Sequence, residues 1–318
     1  MRLARYVGEG RIEIRDEPIP TCPPGGLLVK TSASGLCSGE LMAWYMDQKI
    51  PHVLGHEVSG RVIESQDARF PVGSQVFSHH HAPCLNCDFC RKGLYVHCAQ
   101  WKKTKLTPGG MAELFAVAAE NLNDTHVVND LRAVDAALIE PLACVAKSIR
   151  LGKPEGRSGA VIGLGAMGLM HLLILDRSAI GYETSTARRE WAASLGLQAK
   201  SPEESEPSEV IFVCPGSTQA VNQAIAMAQP GGHIVLFAPM PPGGPSPIDL
   251  NSAYFKDLSF VNSYSCGPND TAQAIEWIRA RKLRAEQVVS DFTGIDDLPK
   301  AYLAMKTGDI LKAMVVFE

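Results

Sequence analysis

The chain has 318 residues, 46% of them hydrophobic and 20% charged, and a formal net charge of −4. That length exceeds one ordinary core and suits two domains on one polypeptide. The mild negative balance excludes a basic footprint for nucleic acid and a polybasic patch for membranes, and the opening MRLARYVGEGRIEIRDE has no apolar run of the kind a secretory leader needs.

In chain order, the first 140 residues read as β-rich. Short apolar or alternating runs at Arg11–Ile14, Leu27–Thr31, Glu57–Ile63 and Ser74–Phe77 are separated by punctuation such as Pro18–Pro20 and Pro23–Gly26. A loop over 83–100 follows, with little periodicity. Near Glu140 the texture changes. The apolar runs Gly159–Ile162, Ala179–Tyr182, Val210–Cys214, His233–Phe237 and Leu258–Asn262 then alternate with helical stretches, the pattern of a parallel sheet covered by helices on both faces. The longest apolar stretch, Ala160 to Leu175, is broken by glycines, so a strand followed by a helix explains it better than a membrane span. The acidic stretch Pro202–Glu209 is predicted to be a solvated loop. The tail is predicted helical at Thr271–Arg281 and Leu298–Met305 and closes on a strand, Ala313–Phe317. The fold class is α/β, and the expected location is the cytoplasm.

Nine cysteines are distributed unevenly. Cys84, Cys87, Cys90 and Cys98 cluster, whereas Cys22, Cys37, Cys144, Cys214 and Cys266 are scattered. An odd count with one tight cluster points to metal rather than disulfides. Four thiolates satisfy tetrahedral zinc and leave no open position, so such a site is structural. An iron–sulfur run also begins C-x2-C-x2-C, but it continues with three residues and Cys-Pro. Here seven residues intervene and Ala99 follows Cys98, which favours zinc.

The run Gly163-Leu-Gly165-Ala166-Met167-Gly168 follows one predicted strand and opens a predicted helix. Its glycines serve a tight turn, close approach of backbone to a pyrophosphate, and close helix–strand packing. The motif alone is weak; its strand–turn–helix setting, and Glu183 at the end of the next strand, strengthen it. A carboxylate at that strand end binds ribose hydroxyls and repels a 2′-phosphate, which prefers NAD to NADP. Arg188 and Arg189 are the features that would suit NADP.

Three further donors lie outside the lobe: Cys37 in GLCSGE, His56–Glu57 in GHE, and Glu140 in EPL. A lone cysteine or histidine is most often core. Together they offer sulfur, nitrogen and oxygen ligands of the kind a catalytic zinc uses.

These motifs, with PGGMAEL and the closing LKAMVVF, occur in an order and spacing that resemble the medium-chain dehydrogenase/reductase family, in its zinc-containing alcohol dehydrogenase branch. The resemblance implies a GroES-like catalytic domain over 1–142 and 267–318, interrupted by a Rossmann domain over 143–266, with an alcohol or ketone substrate between them. It implies two zinc ions, a structural one in the lobe and a catalytic one at Cys37 and His56. Glu57 would be the third or an exchanging ligand, and Glu140 would complete the sphere or hold a water. A glutamate before Pro-Leu resembles the polyol, sorbitol-type branch, so the expected reaction moves a hydride between a secondary alcohol (a polyol, sugar-derived or amino alcohol) and NAD(P), with NAD preferred. A homodimer or homotetramer is expected.

The chain departs from the family pattern at Cys37-Ser38-Gly39-Glu40. The hydroxyl expected two residues after the cysteine is replaced by Gly39, so Ser38, Glu40, a histidine or water must take the proton. That departure also keeps open a non-catalytic, nucleotide-binding reading. The segments Leu197–Glu209 and Gly168–Glu183 are short, which predicts a trimmed helix between strands. In the run His79–His81 one imidazole either relays a proton or touches substrate, which suits a threonine-dehydrogenase-like activity as well, or the three pack or are solvated. Trp44 and Tyr45 likewise line a pocket or pack. Cys144, Cys214 and Cys266 are expected to be small buried hydrophobes, and His52, His126, His171 and His233 to have no chemical role.

Overall fold

Apolar residues on adjoining strands set the architecture of this computed structural model, which describes residues 1–243 and 247–318. The chain divides into two units, Met1–Ala143 with Cys266–Glu318, and Cys144–Ser265.

The first unit is built on a seven-stranded sheet. Its path runs Asp291–Thr293, Ala313–Val316, Leu27–Gly35, Glu57–Ser65, Gln75–Ser78 and Thr125–Val127, and Leu114–Val117 also pairs with the strand Leu27–Gly35. Leu27, Val29, Val58, Val62, Val76 and Phe115 fill one core beneath it. The central pair is antiparallel with Gly35 opposite Glu57, and the strand from the C-terminal segment places Met314 opposite Gly35. This register brings the chain before Ala313, the chain after Gly35 and the chain before Glu57 to one place. A smaller sheet joins Arg11–Asp16, Arg2–Gly8 and His52–Val53. The segment after Cys84 forms only short turns, Asp88–Arg91 and Ala99–Lys103 being its helices, around a small cluster that includes Cys90, Val96, Cys98 and Trp101.

The second unit is a six-stranded parallel sheet. Numbered along the chain within it, its strands lie in the order 3-2-1-4-5-6: Ala199–Lys200, Ala179–Tyr182, Gly159–Ile162, Ser208–Val213, Ala228–Leu236, Ser259–Asn262. That is the order of a doubly wound dinucleotide fold. Gly159–Ile162 is buried along its whole length, as a parallel strand covered on both faces must be. Helices Ala166–Leu175, Thr186–Ser194 and Thr218–Met227 connect the strands. Between Ala199–Lys200 and Ser208–Val213 there is no α-helix, only a 3-10 turn at Pro202–Glu204. The stretch Pro202–Glu209 is thus not the plain loop its composition predicts. Ser201 and Glu204 close a capping box on the turn, and Ser208–Glu209 already belong to a strand.

The C-terminal helices are Pro268–Arg279 and Leu298–Thr307. The first begins earlier than its apolar periodicity suggests, because Pro268 is tolerated in a first turn where its missing N–H costs nothing. No helix among the described residues is long and apolar enough to cross a membrane. Phe115 is completely buried in the main core of the first unit. Phe115→Ala should therefore cost about 3–5 kcal/mol, seen as a lower denaturant midpoint for that unit.

Candidate metal centres and dinucleotide turn

In the lobe, the sulfur pairs Cys84–Cys90, Cys87–Cys90 and Cys84–Cys98 are 3.9, 3.5 and 3.6 Å apart. Four sulfurs at about 2.3 Å from one tetrahedral ion would stand about 3.8 Å apart. A disulfide needs about 2.0 Å, and all nine cysteines are free. Thiolates on separate irons of a cluster would spread wider. Although burial pushes the other way, backbone N–H groups of Cys84 and Trp101 pull the Cys98 thiol down to about 6, toward the thiolate a metal requires.

The second set follows from the strand register. Cys37 lies two residues past Gly35, and His56 immediately precedes Glu57. One ligand atom from each of Cys37, His56 and Glu57 falls within 4.8 Å of the others. Buried Glu40 organises the set. Its carboxylate accepts from Gly55 N–H at 2.8 Å and Cys37 N–H at 3.2 Å, and stands 3.3 Å from His56 Nδ1. A carboxylate behind an imidazole fixes its tautomer and turns the other nitrogen toward a metal. Burial would depress His56, but Cys37 and Glu40 outweigh it and raise its pKa well above the usual value. Glu40, one of the candidates to take the substrate's proton, is thus engaged in orienting the imidazole. Gly39 N–H lies 3.4 Å from Cys37 Sγ, while Ser38 is exposed and hydrogen-bonds to none of these groups.

Glu57 has a partner the sequence did not suggest. Lys312 Nζ is 2.5 Å from Glu57 Oε2 and donates to Leu36 O at 2.9 Å; both side chains are almost wholly buried, at 2% and 1% exposure. A β-carbon on Gly35 would fall 2.2 Å from Glu57 Oε2, so only glycine leaves room for the pair.

Glu140 is not within the same tight group as Cys37, His56 and Glu57. It clusters with His79 and Cys266, although the charges of His56 and Glu57 also act on it; burial pushes its carboxyl pKa up. His79 Nδ1 meets Asp124 at 2.8 Å and its Nε2 lies 3.6 Å from Cys266 Sγ. His126, given no role from sequence, reaches Asp124 at 3.1 Å. Cys266, expected to be a small buried hydrophobe, faces an imidazole 187 positions away in the chain, which no local pattern signals. His80 packs its ring 4.7 Å from that of His56, and His81 lies against Trp101. Burial lowers both imidazoles, His81 to about 4, so they are neutral at pH 7. Trp44 is half-buried, and Tyr45 is exposed beneath Lys49.

In the second unit the three glycines of the turn differ in their surroundings. Gly163 has φ +84°, which favours glycine, and donates to Tyr182 O at 2.8 Å. A β-carbon on Gly168 would fall 1.9 Å from Gly163 O, so helix and strand pack backbone to backbone there. At Gly165 a β-carbon would meet nothing within 4 Å, leaving open space before Ala166 and Met167 at the start of the helix. That space suits a pyrophosphate. Glu183 is buried at the adjacent strand end, accepting from Leu164 N–H at 2.8 Å and Ser185 N–H at 2.9 Å. Arg189 donates to the carbonyls of Glu183 and Thr184, and Arg188 stands 3.8 Å from the Glu183 carboxylate. A cavity of about 380 Å³, lined by Val213, Pro215, Leu236, Phe237 and Asn262 among others, lies in the same unit.

Residues 23–126 match the family model of the alcohol dehydrogenase GroES-like domain, and residues 162–280 match that of the zinc-binding dehydrogenases. D-altritol 5-dehydrogenase of Agrobacterium fabrum (strain C58 / ATCC 33970) is 31% identical over 85% of this chain and 85% of its own. Sorbitol dehydrogenase of Halalkalibacterium halodurans is 25% identical over 97% of this chain and 96% of its own. Among solved structures, a zinc-binding dehydrogenase from Sinorhizobium meliloti 1021, bound to NADP, is 22% identical and superimposes with a TM-score of 0.87 over 99% of each chain.

Removing one partner of a buried ion pair strands the other charge. Lys312→Ala should therefore destabilise the first unit by about 3–5 kcal/mol in denaturant unfolding. Adding Glu57→Gln to it should recover part of that loss.

Proposed function

The chain belongs to the zinc-binding alcohol dehydrogenase family, and on that premise we propose that it oxidises a secondary alcohol of a polyol or sugar-derived substrate with NAD. It is an oxidoreductase of the alcohol and polyol dehydrogenase class. The observation that carries the specific reading is the group Cys37, His56 and Glu57 on adjoining strand ends. A thiolate, an imidazole and a carboxylate suit zinc, and three protein ligands are the number a catalytic zinc site has. Bound there, zinc supplies Lewis acidity toward the substrate oxygen, and the nicotinamide supplies the hydride acceptor.

The chain's own residues do the positioning. Glu40 holds the His56 imidazole and the Cys37 backbone. Lys312 neutralises Glu57 and makes it an exchangeable ligand rather than a permanent one. Glu140, which feels the charges of His56 and Glu57, is the further ligand or the group that holds a water. A second zinc in the four-cysteine lobe is structural, since four thiolates leave it no open position.

The preference for NAD rests on Glu183. A buried carboxylate at that strand end disfavours a 2′-phosphate, and Arg189, which would attract one, is occupied by backbone carbonyls. Nine cysteines without a disulfide support a reducing compartment, the cytoplasm. A homodimer or homotetramer is supported by the strand Ser259–Asn262. It closes one edge of the parallel sheet, and Phe260, Tyr264 and, at 79% exposure each, Tyr254 and Phe255 are exposed nearby.

Turnover is tested with a panel of polyols, sugar alcohols and threonine, read by nicotinamide absorbance. NAD reduction with at least one polyol is expected. Nucleotide binding with no turnover on any member would favour the non-catalytic reading that Gly39 permits. Cys37→Ala should abolish turnover with far-UV circular dichroism unchanged, whereas Cys98→Ala should lower the melting temperature by several degrees. In binding titrations Glu183→Ala should weaken NAD more than NADP; equal losses would remove its ribose role. Phe260→Lys should shift sedimentation toward the monomer, and an unchanged profile would put the subunit contact elsewhere.

A further inference from the structure

Two exposed lysines stand beside the imidazoles that border the Cys37 group, all within the first unit. The His80 ring packs 4.7 Å from that of His56, and the His81 ring 4.1 Å from that of His80. The His56 side chain is 23% exposed, and His52, His80 and His81 are half-buried, so this row of rings meets solvent. Burial lowers the pKa of His52, His80 and His81, and the charge of Lys49 lowers all three further; Lys105 adds to the effect at His52. Both ammonium groups are thus near enough to the imidazole row to act on it.

Their backbones are tied down. The turn Asp47–Lys49 is anchored through Asp47 Oδ1, which accepts from Tyr6 O–H at 2.7 Å and Glu9 N–H at 3.1 Å. Lys49 Nζ lies 3.6 Å from the centre of the Tyr45 ring, whose face attracts an ammonium. Thr104, next to Lys105, accepts at its carbonyl from His81 Nδ1 at 2.8 Å and at its hydroxyl from Ala82 N–H at 2.8 Å. The charge so placed is uncompensated. Neither lysine forms an ion pair among the described residues. Between Ala99 and Leu106 the chain has three lysines and no acid, in a molecule of net charge −4. Glu40 is the one carboxylate among the charges that act most strongly on these imidazoles, and it is buried and engaged by His56, Gly55 and Cys37.

Three plainer accounts explain less. Lysines kept for solubility are mixed with acids, whereas Lys102, Lys103 and Lys105 stand together without one. A nucleic-acid footprint needs a basic domain, and the net charge is negative. The phosphates of the dinucleotide have open space at the glycine turn of the second unit. Neutral imidazoles suit the hydroxyls of a polyol, and ammonium groups suit an anion. On the premise that the Cys37 group is the hydride-transfer centre, we propose that the substrate alcohol bears an anionic group, a carboxylate or a phosphate monoester, which Lys49 and Lys105 hold while its carbinol lies at the Cys37 group. Charge of one sign at the entrance also raises the local concentration and the association rate of such a substrate.

The test compares matched sets of a neutral polyol, its aldonate and its terminal phosphate: sorbitol, gluconate and sorbitol 6-phosphate, with the corresponding galactitol and mannitol sets. The zinc-loaded full chain is assayed for NAD reduction, and binding of each compound to the same protein is measured by calorimetry. In at least one set an anionic member should show a KM and a dissociation constant about tenfold below those of the neutral polyol, the gap narrowing as salt is raised. Whether the aldonate or the phosphate has the advantage identifies the anion. In the double variant Lys49→Gln, Lys105→Gln, whose altered side chains are exposed, that advantage should fall about tenfold; an advantage that survives intact overturns the role of the lysines. Neutral polyols bound and turned over as well as both anions in every set would overturn the anionic substrate and keep the dehydrogenase reading. Anion binding that depends on the two lysines, without turnover in any set, would overturn the dehydrogenase reading and keep the anion site.

Discussion

Gly35 pairs with Glu57 across two antiparallel strands, and a third strand of the same sheet sets Met314 opposite Gly35. The chemistry of the first unit depends on that register. Slipping either strand by one residue would turn its side chains to the opposite face, separating Cys37 from His56 and Glu57 from Lys312. The glycine is part of the constraint, because its missing β-carbon is the space that the Glu57 carboxylate occupies. Lys312 must then arrive from the far end of the chain, which ties the C-terminal strand to the donor set by charge as well as by backbone pairing.

Around this register the molecule concentrates buried charge to an unusual degree. Isolated carboxylates in a protein interior are costly by several kcal/mol each, yet Glu40, Glu57, Asp124 and Glu140 are all buried. Each has a defined counterpart. Glu40 and Asp124 stand behind imidazoles, Glu57 meets an ammonium, and Glu140 faces His79 and Cys266. Such an arrangement is poor value as a source of stability and good value as a preorganised cation environment. A zinc-binding dehydrogenase needs the latter, since its ligands must be oriented before the metal and substrate arrive.

The second unit solves a different problem, the approach of an anionic cofactor to backbone. Gly163 supplies the turn, Gly168 lets helix and strand touch, and Gly165 leaves space open. Glu183 then ties the neighbouring strand end to the turn through Leu164 N–H, so the acidic residue shapes the glycine loop as well as facing the nucleotide's proposed ribose.

Features encoded over short distances were legible in the sequence. The four cysteines span 15 positions, and their spacing alone implies one closed site. Gly159–Ile162 and Ala179–Tyr182 are unbroken apolar runs between turn residues, and the structure has strands over the same residues. The glycine motif carries its own strand and helix with it. Harder to see were Arg2–Gly8, whose charged residues interrupt its apolar pattern, and Ile139–Gly152, whose Glu140-Pro141 start resembles a loop. Invisible altogether were the contacts of Lys312 with Glu57, Asp124 with His79, and Cys266 with His79. Local periodicity records which face of an element is apolar, but not which distant element will cover it. The sequence by itself determined the donor types, the α/β class and the four-cysteine lobe. Which donors meet, and which carboxylate stands behind each imidazole, only the tertiary structure decided, because those pairings are set by strand register across the whole sheet.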